Sequence, residues 1–196
     1  DILSKRAPGV TADIKNRYML MGHSAAAHAT TEYLNSTCGD FKLQILLDGV
    51  DGVDPFGIKK DFIVTPGKFL PYAIPVLVFA TELDPESKGA SPPCAPTNLS
   101  NERFYNAMSG PKWYLNVSKY GHADFLNIEY KDLAGLVCAT CKKDCNYSQY
   151  RQLVKEAILN FANAILNKNE ASLSIIEEAK FSIPTAFKHD HMNYDV

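Results

Sequence analysis

The sequence predicts an α/β fold: a mostly parallel sheet with helices on both faces. Three observations carry this reading. Four apolar segments of strand length are separated by helical or loop segments along the chain. One of them, Ile74-Pro75-Val76-Leu77-Val78-Phe79-Ala80, is almost continuously apolar, as strands covered on both faces are. Near the end, residues 147–167 place Val154, Ile158, Phe161 and Ile165 on one helical stripe suited to covering a sheet. At 196 residues the chain has room for one good core, which we assign to residues 1–168, with 169–196 as a C-terminal tail of mixed character.

Taken in order, residues 1–16 are polar and read as a helix end and a loop around Lys5-Arg6-Ala7-Pro8-Gly9. The first strand is expected at Arg17–Met21, and an alanine-rich helix follows at Ser24–Asn35. Lys42–Asp48 is a second buried strand, dense in Ile and Leu, and it enters the turn Asp48-Gly49-Val50-Asp51-Gly52-Val53-Asp54-Pro55. The third strand is Ile74–Ala80. A long Pro/Ser/Gly-rich loop, Glu82–Pro96, leads to a short helix at Asn98–Met108. The fourth strand, Lys112–Val117, ends at Ser118-Lys119-Tyr120-Gly121-His122, and Trp113 and Tyr114 on it read as core.

Composition narrows the function. A net charge of −2 gives no electrostatic basis for binding nucleic acid or an anionic membrane surface. No apolar run is long enough to be a transmembrane segment. The chain begins at Asp1, which reads as a processed product. Four Asn-x-Ser/Thr sequons, at Asn35, Asn98, Asn116 and Asn146, favour a secreted, glycosylated protein. Five cysteines, Cys38, Cys94, Cys138, Cys141 and Cys145, fit that compartment as a disulfide framework with one thiol left over. The Cys138, Cys141, Cys145 cluster lacks a fourth zinc ligand at a standard spacing, and the aspartates at 48, 51 and 54 do not match a calcium loop. His189-Asp190-His191 reads as a solvated terminus, so neither a metal nor another cofactor is expected.

Chemistry concentrates where the first strand breaks. Met19-Leu20-Met21-Gly22-His23-Ser24-Ala25-Ala26-Ala27-His28 passes from strand through a tight turn into a helix, the context of a nucleophile elbow. The turn strains the serine and projects its hydroxyl from the sheet edge. Small residues at Gly22 and Ala26 are expected where the backbones pass closely. His23 is expected to face away from the attack line, and His28 to pack one turn beyond Ser24. A nucleophilic serine needs a base and an acid that orients it. His122 at the end of the fourth strand supplies the base. On these grounds Asp48, Asp51 and Asp54 all remain candidates for the acid, while Asp124 reads as a local hydrogen-bonding group. Serine, aspartate and histidine follow in the chain order of α/β-hydrolases.

Several pieces together resemble the chlorophyllases, within the α/β-hydrolase superfamily. They are Gly22-His23-Ser24, Gly52-Val53-Asp54-Pro55, Ile74-Pro75-Val76-Leu77-Val78, Pro93-Cys94-Ala95-Pro96 with Asn101 and Phe104 behind it, and Tyr120-Gly121-His122-x-Asp124. Their order and spacing agree over roughly residues 10–166. The resemblance implies Ser24 as nucleophile, Asp54 as the acid, His122 as the base, and a bulky lipophilic ester as substrate, since the family cleaves the phytyl ester of chlorophyll. Where the family elbow reads Gly-His-Ser-Arg-Gly-Gly, this chain has Ala25-Ala26-Ala27. The backbone N–H of Ala25 can still serve an oxyanion, and Ala26 is expected to add a methyl group at the crowded point.

An α/β-hydrolase has about four strands before the nucleophile strand. The resemblance therefore implies the C-terminal half of the fold, completed by a companion N-terminal chain from the same precursor and linked through the odd cysteine. The leading expectation is a secreted serine esterase acting on a lipophilic ester through Ser24, His122 and Asp54. The alternative is an inactive hydrolase fold that binds a pigment or lipid as a secreted carrier or storage protein. A third reading, a structural module retaining old motif residues, leaves the three candidate residues without a purpose.

Overall fold

The computed structural model describes residues 18–37, 40–52 and 61–190. Five strands form one sheet in sequence order: β1 (Tyr18–His23), β2 (Phe41–Leu47), β3 (Val76–Thr81), β4 (Lys112–Val117) and β5 (Thr185–Asp190). The first four run parallel, and β5 returns antiparallel to β4, pairing Val117 with Thr185 and Lys112 with Asp190. The helices are α1 (Ala25–Ser36), α2 (Asn101–Ala107), α3 (Ile128–Ala134), α4 (Tyr147–Asn167) and α5 (Glu170–Glu177), with a 3₁₀ turn at His122–Phe125.

The near-continuous apolar run of β3 and the Ile/Leu-rich end of β2 follow from burial on both sides. Leu43, Ile45 and Leu47, with Leu77, Phe79, Trp113 and Leu115, face α4 and α5. Their alternates Leu46, Val76, Val78, Ala80 and Tyr114 pack on the other side against Ala27 of α1 and against Phe104 and Met108 beside them. Two-sided cover leaves no room for the polar alternation of a half-exposed strand.

Three differences from the sequence expectations have physical causes. The buried face of α4 is Tyr150, Leu153, Ala157, Phe161 and Ala164, so the helix is turned from the expected stripe. Alanines at 157 and 164 let it sit close to the sheet, and Val154, Ile158 and Ile165 take the flanks. Within the stretch after 168 set apart as a tail above, Glu170–Glu177 form α5 and Thr185–Asp190 the fifth strand. Ile176 is fully buried under the sheet, and Trp113 donates its indole N–H to Glu177 Oε1 at 3.1 Å. The helix expected from Asn98 begins at Asn101, because Pro96–Leu99 close a turn through Leu99 N–H to Pro96 O at 2.9 Å. At the opposite edge, β1 exposes Tyr18, Met19 and Met21. Among the described residues, no strand pairs with the outer side of β1.

Candidate active site

Ser24 lies between β1 and α1 with φ 57° and ψ −130°, a backbone conformation that costs a residue with a side chain on the order of 1–3 kcal/mol. Three hydrogen bonds hold it there. Its N–H donates to Leu47 O at 3.1 Å, and its carbonyl accepts from Ala27 N–H at 2.9 Å and Val50 N–H at 3.1 Å. Gly22 makes the turn possible, because a Cβ there would overlap the carbonyl of Ala26. The other close approach is between Ala27, fully buried, and Gly49, whose added Cβ would come within 2.8 Å of the Ala27 methyl. Ala26 itself points to solvent. The expected crowding at its methyl group therefore does not occur: the tight contact involves its backbone. Ala25 opens α1, where the first N–H groups have no acceptor within the helix.

His122 reaches Ser24 from the far end of β4. Gly121 is required before it, since a Cβ would overlap Ala139 O. Asp124 fixes the turn by accepting from Gly121 N–H at 2.9 Å and Cys141 N–H at 2.8 Å, the local role read from sequence. The result is a distance of 2.8 Å between His122 Nε2 and Ser24 Oγ. His23 does not face away, as the sequence suggested. Its ring stacks on that of His122 with centroids 4.9 Å apart, and its Nε2 donates to the His122 carbonyl at 3.2 Å. Burial, together with the neighbouring His23, pushes the His122 imidazole down to about 3, so it is neutral and able to accept a proton.

Asp54 lies outside the described residues. Of the other two candidates, Asp51 is committed elsewhere. Fully buried, it accepts from Ile63 N–H at 3.0 Å, Val64 N–H at 3.1 Å and Arg103 Nε at 2.8 Å, tying the segment after the turn to α2. Breaking such a buried pair leaves an uncompensated charge. Arg103→Met is therefore expected to cost about 3–5 kcal/mol in denaturant unfolding; a loss below 1 kcal/mol would mean the pair is dispensable.

Among the described residues, Asp48 is the acid beside the histidine. Fully buried at the end of β2 with φ 42°, it places Oδ2 3.9 Å from His122 Nδ1. The ring nitrogen has no hydrogen-bond partner among the described residues. Thr81 Oγ1 stands 3.0 Å from Asp48 Oδ2 and 2.7 Å from Oδ1 of Asp84, a residue the sequence reading passed over. Its position just after β3, at the end of the sheet that carries Ser24 and His122, was the available signal.

Ser24, Ala25, Val50, Gly52, Cys94, His122 and Cys138 line an open cavity of about 220 Å³. Two of these residues are one disulfide, Cys94–Cys138; the second disulfide is Cys141–Cys145. These four cysteines are therefore not thiolate ligands, and Cys38 lies outside the described residues. In the segment just before Cys138 the chain exposes Tyr130, Leu133, Leu136 and Val137. Of the sequons, Asn35, Asn98 and Asn146 are exposed, whereas Asn116 sits within β4 with its Oδ1 buried. Asn146 caps α4 by accepting Gln149 N–H at 3.0 Å. His189 and Asp190 close β5, and His191 lies outside the described residues.

A mostly parallel sheet with a strained serine after one strand and a histidine from another brought against it defines the α/β-hydrolase class. The chlorophyllase family model matches residues 2–193, and the chain belongs to that family. It is 27% identical over 166 residues to Chlorophyllase-1 of Arabidopsis thaliana, covering 80% of this chain and 51% of that protein. It is 28% identical over 178 residues to Chlorophyllase-2 of the same plant, covering 83% and 54%. Chlorophyllase type 0 of Chenopodium album is 26% identical over 133 residues, covering 64% and 37%. The chain thus spans about half the length of the two Arabidopsis relatives. No helix among the described residues is long and apolar enough to cross a membrane.

Proposed function

We propose that this chain carries the nucleophile and base of a carboxylic ester hydrolase acting on a lipophilic ester. The observation that supports it most is the 2.8 Å contact between His122 Nε2 and Ser24 Oγ, with the serine held at φ 57°. Ser24 Oγ attacks the ester carbonyl and gives its proton to His122 Nε2. The oxyanion faces the Ala25 N–H at the start of α1. Collapse of the tetrahedral intermediate expels the alcohol, which takes the proton from His122. Water, deprotonated by the same nitrogen, then releases the acid and restores Ser24. Asp48 is the nearest acid among the described residues to stabilise the imidazolium in both steps. The exposed apolar side chains of Tyr130, Leu133, Leu136 and Val137, in the segment that leads into Cys138 of the cavity, suit an ester with a long apolar alcohol. Labelling with a fluorophosphonate tests the reading: an adduct mapping to Ser24 is expected, and folded protein without one would overturn it.

A second reading is favoured by the 3.9 Å separation of His122 Nδ1 from Asp48. In it the cavity binds a pigment or lipid without turnover; such a protein would retain the ligand on purification and leave the probe unreacted.

The histidine also sets a pH expectation. Catalysis needs His122 neutral, and its proton affinity lies below the ordinary value of 6.5. The acid limb of kcat/KM is expected well below pH 6.5; a limb at or above that value would show that His122 is not so shielded. Stability moves the same way. Between pH 6.5 and about 3 the unfolded chain protonates this histidine and the folded chain does not, so its contribution to stability declines as pH falls through that window.

A further inference from the structure

The Thr81 hydroxyl lies within hydrogen-bond distance of two carboxyl oxygens, 3.0 Å from Asp48 Oδ2 and 2.7 Å from Asp84 Oδ1. It has one proton to donate, so it satisfies both contacts only if one carboxyl is itself protonated and donates to it. Two buried carboxylates in one dry site repel, which favours the same arrangement. The surroundings indicate which acid is charged. Asp84 Oδ2 accepts from Asn101 Nδ2 at 2.6 Å and Thr81 N–H at 3.2 Å, while Asp48 Oδ1 has no partner among the described residues. A bare oxygen is far less costly on a neutral acid than on an anion.

We propose that Asp48 and Asp84 act as one acid holding a single proton, with Asp84 a positioning residue that acts on His122 through Asp48. This rests on the reading of Ser24 and His122 as nucleophile and base. At rest the proton is on Asp48 Oδ2 and the negative charge on Asp84. When the serine proton reaches His122 Nε2, the imidazolium draws the charge towards itself. Asp48 Oδ2 gives its proton to Thr81 Oγ1, and the Thr81 hydroxyl proton passes to Asp84 Oδ1. Asp48 is left anionic opposite His122 Nδ1–H, Asp84 is neutral and Thr81 is unchanged. The reverse shift accompanies return of the proton to the leaving alcohol. The pair thus keeps one negative charge throughout but moves it to where the cation forms.

Other titratable groups near the pair leave this undisturbed. His122 faces it from the 3₁₀ turn, with His23 of β1 stacked behind; burial lowers the proton affinity of both rings. Tyr114 of β4 and Tyr150 of α4 are both held neutral by burial. None of these four carries positive charge at neutral pH. Burial and mutual repulsion raise Asp48 well above the carboxylate range, and burial raises Asp84.

Two measurements on the full chain test the proposal without requiring turnover. Infrared spectroscopy at neutral pH is expected to show one protonated-carboxyl stretch, lost in both Asp48→Asn and Asp84→Asn. Titration of His122 by NMR is expected to run about one pH unit or more higher in Asp84→Asn, where Asp48 becomes a permanent anion. Thr81→Val, which keeps both acids and removes the relay hydroxyl, is expected to change the same titration and covers the case in which Asp84→Asn does not fold. An unchanged stretch in both aspartate variants would overturn the proposal. So would an identical His122 titration in the variants and the parent, or a stoichiometric divalent metal on the pair in place of the proton. Ser24 labelling is independent of these readouts, so failure of the hydrolase reading and failure of the shared-proton pair are distinguishable.

Discussion

Ser24→Ala is expected to lower kcat/KM for a lipophilic ester on the order of a millionfold, the scale seen when the nucleophile of a serine hydrolase is removed. Among the described residues no other group can take over. The neighbours of Ser24 in the cavity are apolar residues, a disulfide and His122, and the two cysteines there are oxidised. Alanine keeps the β-carbon, so the elbow, with its bonds from Ser24 to Leu47, Ala27 and Val50 made by backbone alone, has no reason to open. The assay is steady-state hydrolysis alongside thermal unfolding of both proteins. Loss of turnover at unchanged stability is the expected pair of results. A variant within tenfold of the parent would remove Ser24 from the chemistry and leave the binding reading in its place.

Asp48→Asn is expected to reduce kcat on the order of 10⁴-fold, as loss of the acid does in a serine triad. The cause is electrostatic. His122 is buried and stacked on a second imidazole, so the imidazolium formed during attack has little solvent to stabilise it. Among the described residues Asp48 is the acid within reach of Nδ1, at 3.9 Å, and closing that distance to a hydrogen bond takes a side-chain adjustment of about 1 Å. Asparagine fills the same space without the charge. The matched measurement on Asp54→Asn distinguishes the two candidates. A larger loss there than in Asp48→Asn would return the acid's role to Asp54, as the resemblance implied. Asp51 does not enter the comparison, because both its oxygens are already taken by Arg103 and the backbone of residues 63 and 64.

Much of this was legible before any coordinates. The apolar run from Val76 to Ala80 has no polar alternation, the pattern of a strand buried on both faces. Gly22-His23-Ser24 before an alanine-rich helix and Gly121-His122 after a strand are short-range patterns whose glycines answer local overlaps with Ala26 and Ala139. The four parallel strands and the helix at 147–167 therefore fell where periodicity put them, within a few residues.

Other features depended on residues far apart in sequence. The stacking of His23 on His122 joins positions 99 apart, and a variable position beside a serine carries no local sign of it. Asp84 stood in a Pro/Ser/Gly-rich loop that reads as solvent-exposed, yet Thr81 and Asn101 draw it into the site. Telling Asp48 from Asp51 required knowing which of the two the fold buries beside His122, because both follow β2 in one turn. The cavity wall likewise depended on pairing Cys94 with Cys138 across 44 residues. Periodicity and turn chemistry act over a few residues, so the sequence by itself determined the strands, the main helix and the positions of Ser24 and His122. The charge environment of the histidine arises from side chains brought together by packing, and that only the tertiary structure decided.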